Sequence, residues 1–380
     1  MSALYIGLIS GTSIDGIDAA LVDFSNTQPA LLATHSQVIP APTTERIKQL
    51  CTPNTSASEI EDLGMLDIAL GKLFAEAVNQ LLKISGKSAS DIIAIGSHGQ
   101  TVRHRPPDQT QANGFTLQIA DPNIIAENTG ITTVADFRRR DMACGGQGAP
   151  FAPAFHQAIA PTNIDNCIFL NLGGIANISV IQQGKLISGY DTGPANGLMD
   201  AWIQQHKHLP FDKSGEWAAQ GEANSELLAT LLTDQYFSLP APKSTGREYF
   251  NLDWLEKARV QGVKITNTPA DQLNPQNVQA TLLALTAQSI SDELAKHQPS
   301  VVYCCGGGVH NKALMARLKA LNEAITILDT SALGIAPDWI EAAAFAWLAK
   351  KHIHSEPIDL TTVTGASKPC VLGAMISGCK

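Results

Sequence analysis

An apolar run, a glycine turn and a second apolar run follow one another twice in this chain, about 160 residues apart. The first copy runs from Tyr5–Ile9 through Gly11-Thr12-Ser13-Ile14-Asp15-Gly16 into Ile17–Phe24. The second runs from Ile168–Leu172 through Gly173-Gly174 into Ile175–Ile181. Short apolar runs bounded by glycine read as buried strands, and a glycine turn joining two of them reads as a hairpin. Two copies of one unit predict two related α/β domains facing one another. A third strand, Val301–Cys305, ends in Gly306-Gly307-Gly308 and leads into a helical pattern over 311–321. A chain of 380 residues is long enough for two hydrophobic cores rather than one.

Apolar residues at helical spacing predict helices over 60–84, 197–206, 225–232, 275–297 and 339–351. A short strand, Asp91–Gly96, leads into Ser97-His98-Gly99-Gln100-Thr101. The polar stretch 204–253 contains Pro210, Pro240 and Pro242 and is expected to carry loops, with lid-like or dimer-forming elements. Domain I is assigned to 1–130 plus 341–380, and domain II to 131–340.

Composition removes several classes of function. No run of 18 apolar residues is present, so no segment reads as a membrane-spanning helix. The apolar N-terminus lacks a basic flank and a small-residue cleavage pattern, and reads as a buried strand rather than a signal peptide. A net charge of −9 without a long Lys/Arg run argues against a nucleic-acid surface. The densest basic cluster, Arg138-Arg139-Arg140, is flanked by Asp136 and Asp141; it reads as a solvated surface or an anion site. The cysteine count is odd and no Cys-x-x-Cys pair occurs, which fits a reducing cytoplasm. Cys304 and Cys305 read as buried thiols. His206/His208 and His352/His354 lack metal-binding spacing. Gly86-Lys87-Ser88 ends like a P-loop, but Leu81 stands where its first glycine belongs. Neither a dinucleotide-binding glycine fingerprint nor a Gly-x-Ser-x-Gly elbow is found.

The first glycine turn holds two hydroxyls and nearby carboxylates. Glycine lets backbone N–H groups approach an anion. Thr12 and Ser13 can donate to phosphate oxygens, and Asp15 or Asp18 can hold Mg2+, directly or through water. The same residues also suit an ordinary hairpin turn. In the second copy Asn171 ends the strand, and an amide is no base at neutral pH. A catalytic carboxylate must then come from elsewhere. Asp191, in Gly189-Tyr190-Asp191-Thr192-Gly193-Pro194, is the next candidate, with helix capping as its other reading. Ser97, His98 and Gln100 offer neutral hydrogen-bonding groups that suit a sugar. Arginines such as Arg138 suit a carboxylate or phosphate.

The three glycine turns, in this order, resemble the two phosphate loops and the adenosine loop of the actin–hexokinase–Hsp70 ATPase superfamily. A finer match follows from Gly11–Asp18, Ser97–Thr101, Ala135–Asp141, Gly145-Gly146-Gln147-Gly148-Ala149-Pro150, Asp191-Thr192-Gly193-Pro194, Lys243-Ser244-Thr245-Gly246-Arg247-Glu248 and Cys305–Gly308. Together these resemble the anhydro-N-acetylmuramic acid kinase family, over essentially the whole chain.

That resemblance implies an α/β fold of two actin-like (ribonuclease H-like) domains flanking a central cleft. It implies ATP and Mg2+ as cofactors and 1,6-anhydro-N-acetylmuramic acid as substrate. The implied reaction opens the anhydro bond with water and phosphorylates O6, in peptidoglycan recycling. A cytoplasmic homodimer without nucleic-acid or membrane partners is implied. Asp191 would be the base. Gly11, Thr12, Ser13, Ile14, Asp15, Gly16, Ile17 and Asp18 would meet the β/γ-phosphates and Mg2+, with Asp15 as the metal ligand. Gly173 and Gly174 would close over phosphate, and Gly306, Gly307 and Gly308 would support adenosine. Ser97, His98, Gln100 and Glu341 would meet the sugar, with Arg138 on its lactyl carboxylate. Two other readings remain. One is a plain sugar or acetate-type kinase, against which Asn171 argues. The other is a nucleotide-switched filament or regulator.

Overall fold

The computed structural model describes residues 3–11, 14, 16–52, 58–107, 113–266 and 274–379, with backbone alone for 261–266. The chain divides into two compact units, 1–159 with 333–380 and 160–332. The strands are β1 (Leu4–Ser10), β2 (Gly16–Asp23), β3 (Ala30–Val38), β4 (Ile92–Arg105), β5 (Phe115–Ile119), β6 (Thr133–Ala135), β7 (Asn166–Leu172), β8 (Ile175–Gln182), β9 (Lys185–Pro194), β10 (Val301–Cys305), β11 (Thr326–Asp329) and β12 (Ala374–Ile376).

The first unit orders its sheet β3-β2-β1-β4-β6-β12, with β5 on the far end of β4; the second orders its sheet β9-β8-β7-β10-β11. In both, three strands form an antiparallel meander, and the next strand joins the first one in parallel: β4 on β1, and β10 on β7. The same order twice bears out the two related domains that the doubled hairpin predicts, in the ribonuclease H-like arrangement that the family resemblance implies.

β1 is buried along its whole length, so both its faces need cover. Alternation assigns the faces. Leu4, Ile6 and Leu8 share a core with Leu66, Leu70, Phe74 and Val78 of the helix Glu59–Ser85. On the opposite face lies the helix Ile340–Ile353. A Cβ on Gly7 would stand 1.7 Å from the Ala342 carbonyl oxygen, and one on Gly96 would stand 1.9 Å from that of Phe345. Gly7 and Gly96 are register partners across β1 and β4. Two neighbouring glycines therefore make a trough that seats the helix backbone on the sheet, and Glu341 rides on its first turn. In the second unit, Ile168, Leu170 and Leu172 of β7 share a core with Leu282, Leu285 and Ile290 of the helix Pro275–His297.

The division between units falls at 159/160 and 332/333 rather than at 130/131 and 340/341. β6 pairs with β4, which draws the residues after 130 into the first unit. Cys144 and Cys370 are joined as a disulfide, a departure from the reduced state that the odd count suggests. Cys304 and Cys305 are buried and free.

Candidate active site

In the second unit, the ends of β7, β9 and β10 bring three turns together. The N–H groups of Asn196, Ala195 and Gly197 donate to the carbonyls of Gly173 (3.0 Å), Gly174 (3.1 Å) and Gly174 (3.0 Å), respectively. Asn196 Nδ2 donates to the Leu172 carbonyl at 3.0 Å. The third turn packs on the same place. A Cβ on Gly308 would lie 2.6 Å from Leu172 Cβ, and one on Gly306, where φ is +79°, would lie 2.4 Å from Asn171 Oδ1. Gly306 and Gly308 are thus demanded by the protein's own packing. Gly307 is different, since a Cβ there would meet no atom within 4 Å. At Gly173 the nearest atom would be 3.5 Å away, and at Gly174 the Arg247 guanidinium would be 2.8 Å away. Beside these turns a cavity of about 710 Å³ is lined by Gly197, Asp200, Gln204, Arg247, Phe250 and Asn251. Burial raises the Asp200 carboxyl to about 6, although the Arg247 charge opposes the shift.

Asp191 lies within β9, and the helix Asn196–Lys207 begins later, so it caps no helix. Cross-strand register sets Asn171 opposite Asn177, and Asn177 opposite Asp191. Directly opposed residues share a sheet face, so Asp191 supplies a carboxylate on the face where β7 carries only an amide. Its Oδ2 accepts from the Thr245 N–H (2.9 Å) and from Ser244 Oγ (3.0 Å). Its backbone is clamped too: its N–H donates to the Lys243 carbonyl at 3.0 Å, and its carbonyl accepts from the Tyr236 hydroxyl at 2.8 Å. Oδ1 takes no hydrogen bond among the described residues. Burial raises the Asp191 pKa, the two Oδ2 donors oppose the rise, and Glu248 adds to it. A partly desolvated carboxylate with one open oxygen is suited to accept a proton.

In the first unit, Ser97, His98 and Gln100 follow one another along β4. Arg138 Nε donates to His98 Nε2 at 2.8 Å, and its Nη1 donates to the Gly148 carbonyl at 2.9 Å. Arg138 Nη2 makes no hydrogen bond among the described residues, so part of the guanidinium stays available to an anion. Burial lowers the Arg138 pKa to about 10, with Glu341 and Asp141 pulling it back up. Ser97 Oγ is buried without a partner among the described residues. Glu341 stays exposed, yet desolvation by surrounding protein raises its pKa, Arg138 opposes and Asp18 adds.

The sequence-predicted residues divide accordingly. Gln100 is engaged by the fold: its Oε1 accepts from Ser10 Oγ at 2.6 Å, pinning β4 to β1, and its Nε2 donates to the Thr101 carbonyl at 3.1 Å. Gly11 follows β1, Gly16 opens β2, and the Ile14 and Ile17 side chains are buried in the core, leaving only backbone for a phosphate. Asp18 sits on β2 opposite Ile9. Thr12, Ser13 and Asp15 lie outside the described residues. The tail of the Arg138 cluster is structural. Asp141 is fully buried and accepts from the Gly148 N–H (2.8 Å) and from Thr364 Oγ1 (2.9 Å). The donors on Asp191 and the Arg247 contact carry no role in the sequence reading. The polar Lys243–Glu248 block between Pro242 and Phe250 is the local signal that marks them.

Two ribonuclease H-like units with glycine turns at the strand ends, and a carboxylate on the same sheet face, are the layout of an actin-like phosphotransferase. The family model for anhydro-N-acetylmuramic acid kinase matches residues 3–378. An anhydro-N-acetylmuramic acid kinase of Shewanella sp. (strain ANA-3) is 52% identical over 377 residues, covering 99% of each chain. One of Saccharophagus degradans is 50% identical over 375 residues, covering 98% of each. Among solved structures, a ROK family glucokinase from Streptomyces griseus in complex with glucose and AMPPNP aligns with a TM-score of 0.41 and 16% identity, over 92% of this chain and 100% of that one. The chain belongs to the anhydro-N-acetylmuramic acid kinase family. Among the described residues, no helix is long and apolar enough to cross a membrane.

Proposed function

We propose that the chain uses ATP to convert 1,6-anhydro-N-acetylmuramic acid to N-acetylmuramic acid 6-phosphate and ADP, with water opening the anhydro bridge. The observation that carries this reading is Asp191, with Oδ2 held by two donors and Oδ1 open. Asp191 takes a proton from water as the water oxygen bonds to the anomeric carbon. The C1–O6 bond breaks, and O6 attacks the γ-phosphorus in line with the departing ADP. The open space at Gly307 suits a nucleotide lying against backbone. The cavity beside Arg247 has the volume of a small-molecule site.

Arg138 Nη2 would meet the lactyl carboxylate, with Ser97 Oγ and Glu341 on the sugar. Asp18 and Glu341 are electrostatically coupled carboxylates, the donor type that Mg2+ takes. Asp18, and Asp15 beside it in sequence, would hold the ion. When bound, Mg2+ would offset phosphate charge during transfer. A cytoplasmic location and a homodimer are proposed with the family.

Incubation with Mg-ATP and the anhydro-sugar in oxygen-18 water, beside Asp191→Asn, tests the reaction. One oxygen-18 at C1 of a phosphosugar, corrected for anomeric exchange and lost in the variant, is the expected product. Equal phosphorylation of open-ring N-acetylmuramic acid would instead identify a plain sugar kinase.

A further inference from the structure

The helix Pro275–His297 carries Glu293 into the core of the second unit, where its side chain is 5% exposed. Glu293 Oε1 is 2.8 Å from Lys243 Nζ, whose side chain is 3% exposed. Glu293 Oε2 accepts from the Tyr190 hydroxyl at 3.0 Å and lies 2.9 Å from Lys296 Nζ. Lys243 Nζ also donates to the carbonyls of Tyr236 (3.3 Å) and Phe237 (3.4 Å).

These partners are the chain neighbours of Asp191 and of its donors. Tyr190 precedes Asp191, and Lys243 precedes Ser244 and Thr245, which donate to Oδ2. Tyr236, whose carbonyl takes Lys243, gives its hydroxyl to the Asp191 carbonyl. One buried carboxylate therefore ties together both segments whose relative placement defines where Asp191 points. Two apolar side chains of similar volume would stabilise such a junction at least as well, since a buried ion pair must first offset its own desolvation. Direction is what the ion pair adds.

We propose that Glu293 is a positioning residue for Asp191, holding Tyr190 and Lys243 on one carboxylate so that Ser244 and Thr245 stay on Oδ2 and Oδ1 faces the reacting water. This rests on Asp191 being the base. The charged and titratable groups around Asp191 are Glu248 and Tyr236, then Lys243 and Glu293, with Lys296 and His297 further along the helix.

Full-length Glu293→Gln, Tyr190→Phe and the apolar double variant Lys243→Met/Glu293→Leu test it, with Asp191→Asn as reference. Thermal unfolding reports folding. Displacing a catalytic group by about 1 Å costs up to about 100-fold, so kcat should fall about tenfold or more in Glu293→Gln and in the double variant, with the KM for ATP and for sugar held within about twofold. The acid limb of kcat/KM should shift as the Oδ2 donors loosen. Tyr190→Phe leaves the Lys243–Glu293 charges paired, and decides the matter if the other variants fail to fold; its kcat should fall several-fold. Folded variants with wild-type kcat and acid limb would overturn the proposal, as would losses confined to KM. If Asp191→Asn is itself fully active, the reading of Asp191 falls. If Asp191→Asn is inactive while the Glu293 and Tyr190 variants match wild type, only the positioning role falls.

Discussion

Arg138 donates its Nε hydrogen to His98 Nε2 across 2.8 Å, and this bond fixes the state of the imidazole. Nε2 must be the acceptor, so the ring proton sits on Nδ1, 3.0 Å from the Gly99 carbonyl. Burial first, and the Arg138 charge second, push the His98 pKa well below 6.5. His98 is therefore a neutral prop that aims the guanidinium.

Nitrogen-15 NMR should find one tautomer of His98 throughout about pH 5 to 8, where an unperturbed histidine would titrate. A midpoint above pH 6 would contradict the assignment. Arg138→Lys keeps the charge but loses the planar fork, so one ammonium must replace guanidinium contacts to His98, Gly148 and the substrate acid. The KM for the anhydro-sugar should rise about tenfold, roughly the worth of one charged hydrogen bond. The KM for ATP should stay within about twofold. A parallel rise in both would remove Arg138 from the sugar.

His156 makes the fold sensitive to acid. It is 1% exposed in the helix Ala152–Ile159, and burial lowers its pKa to about 3. The unfolded chain binds a proton at this site near pH 6.5, and the folded one does so only near 3. Between those values the unfolded state holds more protons, so stability is lost as pH falls through 6.5. At pH 5 the loss from this residue is about 2 kcal/mol. His156→Leu removes it. Urea unfolding at pH 7.5 and at pH 5 should show the variant gaining about 2 kcal/mol on the wild type between the two. A pH-independent difference would mean that His156 is protonated, or hydrated, in the folded state.

The glycines of the third turn should separate binding from folding. Gly307→Ala places a methyl where no protein atom lies within 4 Å, and the backbone there is not left-handed. Stability should change by less than about 0.5 kcal/mol, as for an unobstructed surface site. The methyl enters the space assigned to nucleotide, so the KM for ATP should rise about tenfold or more. Gly308→Ala meets Leu172 and Asn196 below 3 Å, and overpacking of that kind costs about 1–3 kcal/mol. Calorimetry with ATP alongside thermal melts distinguishes the two. Wild-type ATP affinity in Gly307→Ala would clear Gly307 of any nucleotide contact.

What the sequence shows of all this depends on range. The doubled hairpin is visible because alternation and glycine are local signals. Helices at 225–232 and 275–297 have readable ends because Asn224 and Asn274 cap them through their own side chains. Asp191 stands out because Asn171 cannot do a carboxylate's work, and strand register sets both on one face. Long-range partners are invisible. Nothing near Gln100 announces that Ser10, 90 residues away, donates to its oxygen. β6 has only three residues, too few for periodicity, yet it moves a domain boundary. Cys144 and Cys370 are 226 residues apart, and nothing near either announces the other.

Gly7 and Gly96 give the sharpest mechanical test, because what each would strike is backbone. A methyl on Gly96 would come 1.9 Å from the Phe345 carbonyl oxygen, and no rotamer change can move that atom. The helix Ile340–Ile353 must lift, opening voids around Ala342, Phe345 and Ala346, which are buried against the sheet. Gly96→Ala should cost about 3 kcal/mol or more, the upper range for a strained core. Gly64→Ala is the control: it lies in the helix Glu59–Ser85 with nothing within 4 Å of a new Cβ. There the helix gains about 1 kcal/mol from replacing glycine. Opposite shifts in melting temperature are expected from one chemical change. The helix also carries Glu341, so folded Gly96→Ala should have a raised KM for the anhydro-sugar while Gly64→Ala does not. Equal shifts in the two variants would mean that the glycine trough does not seat the helix.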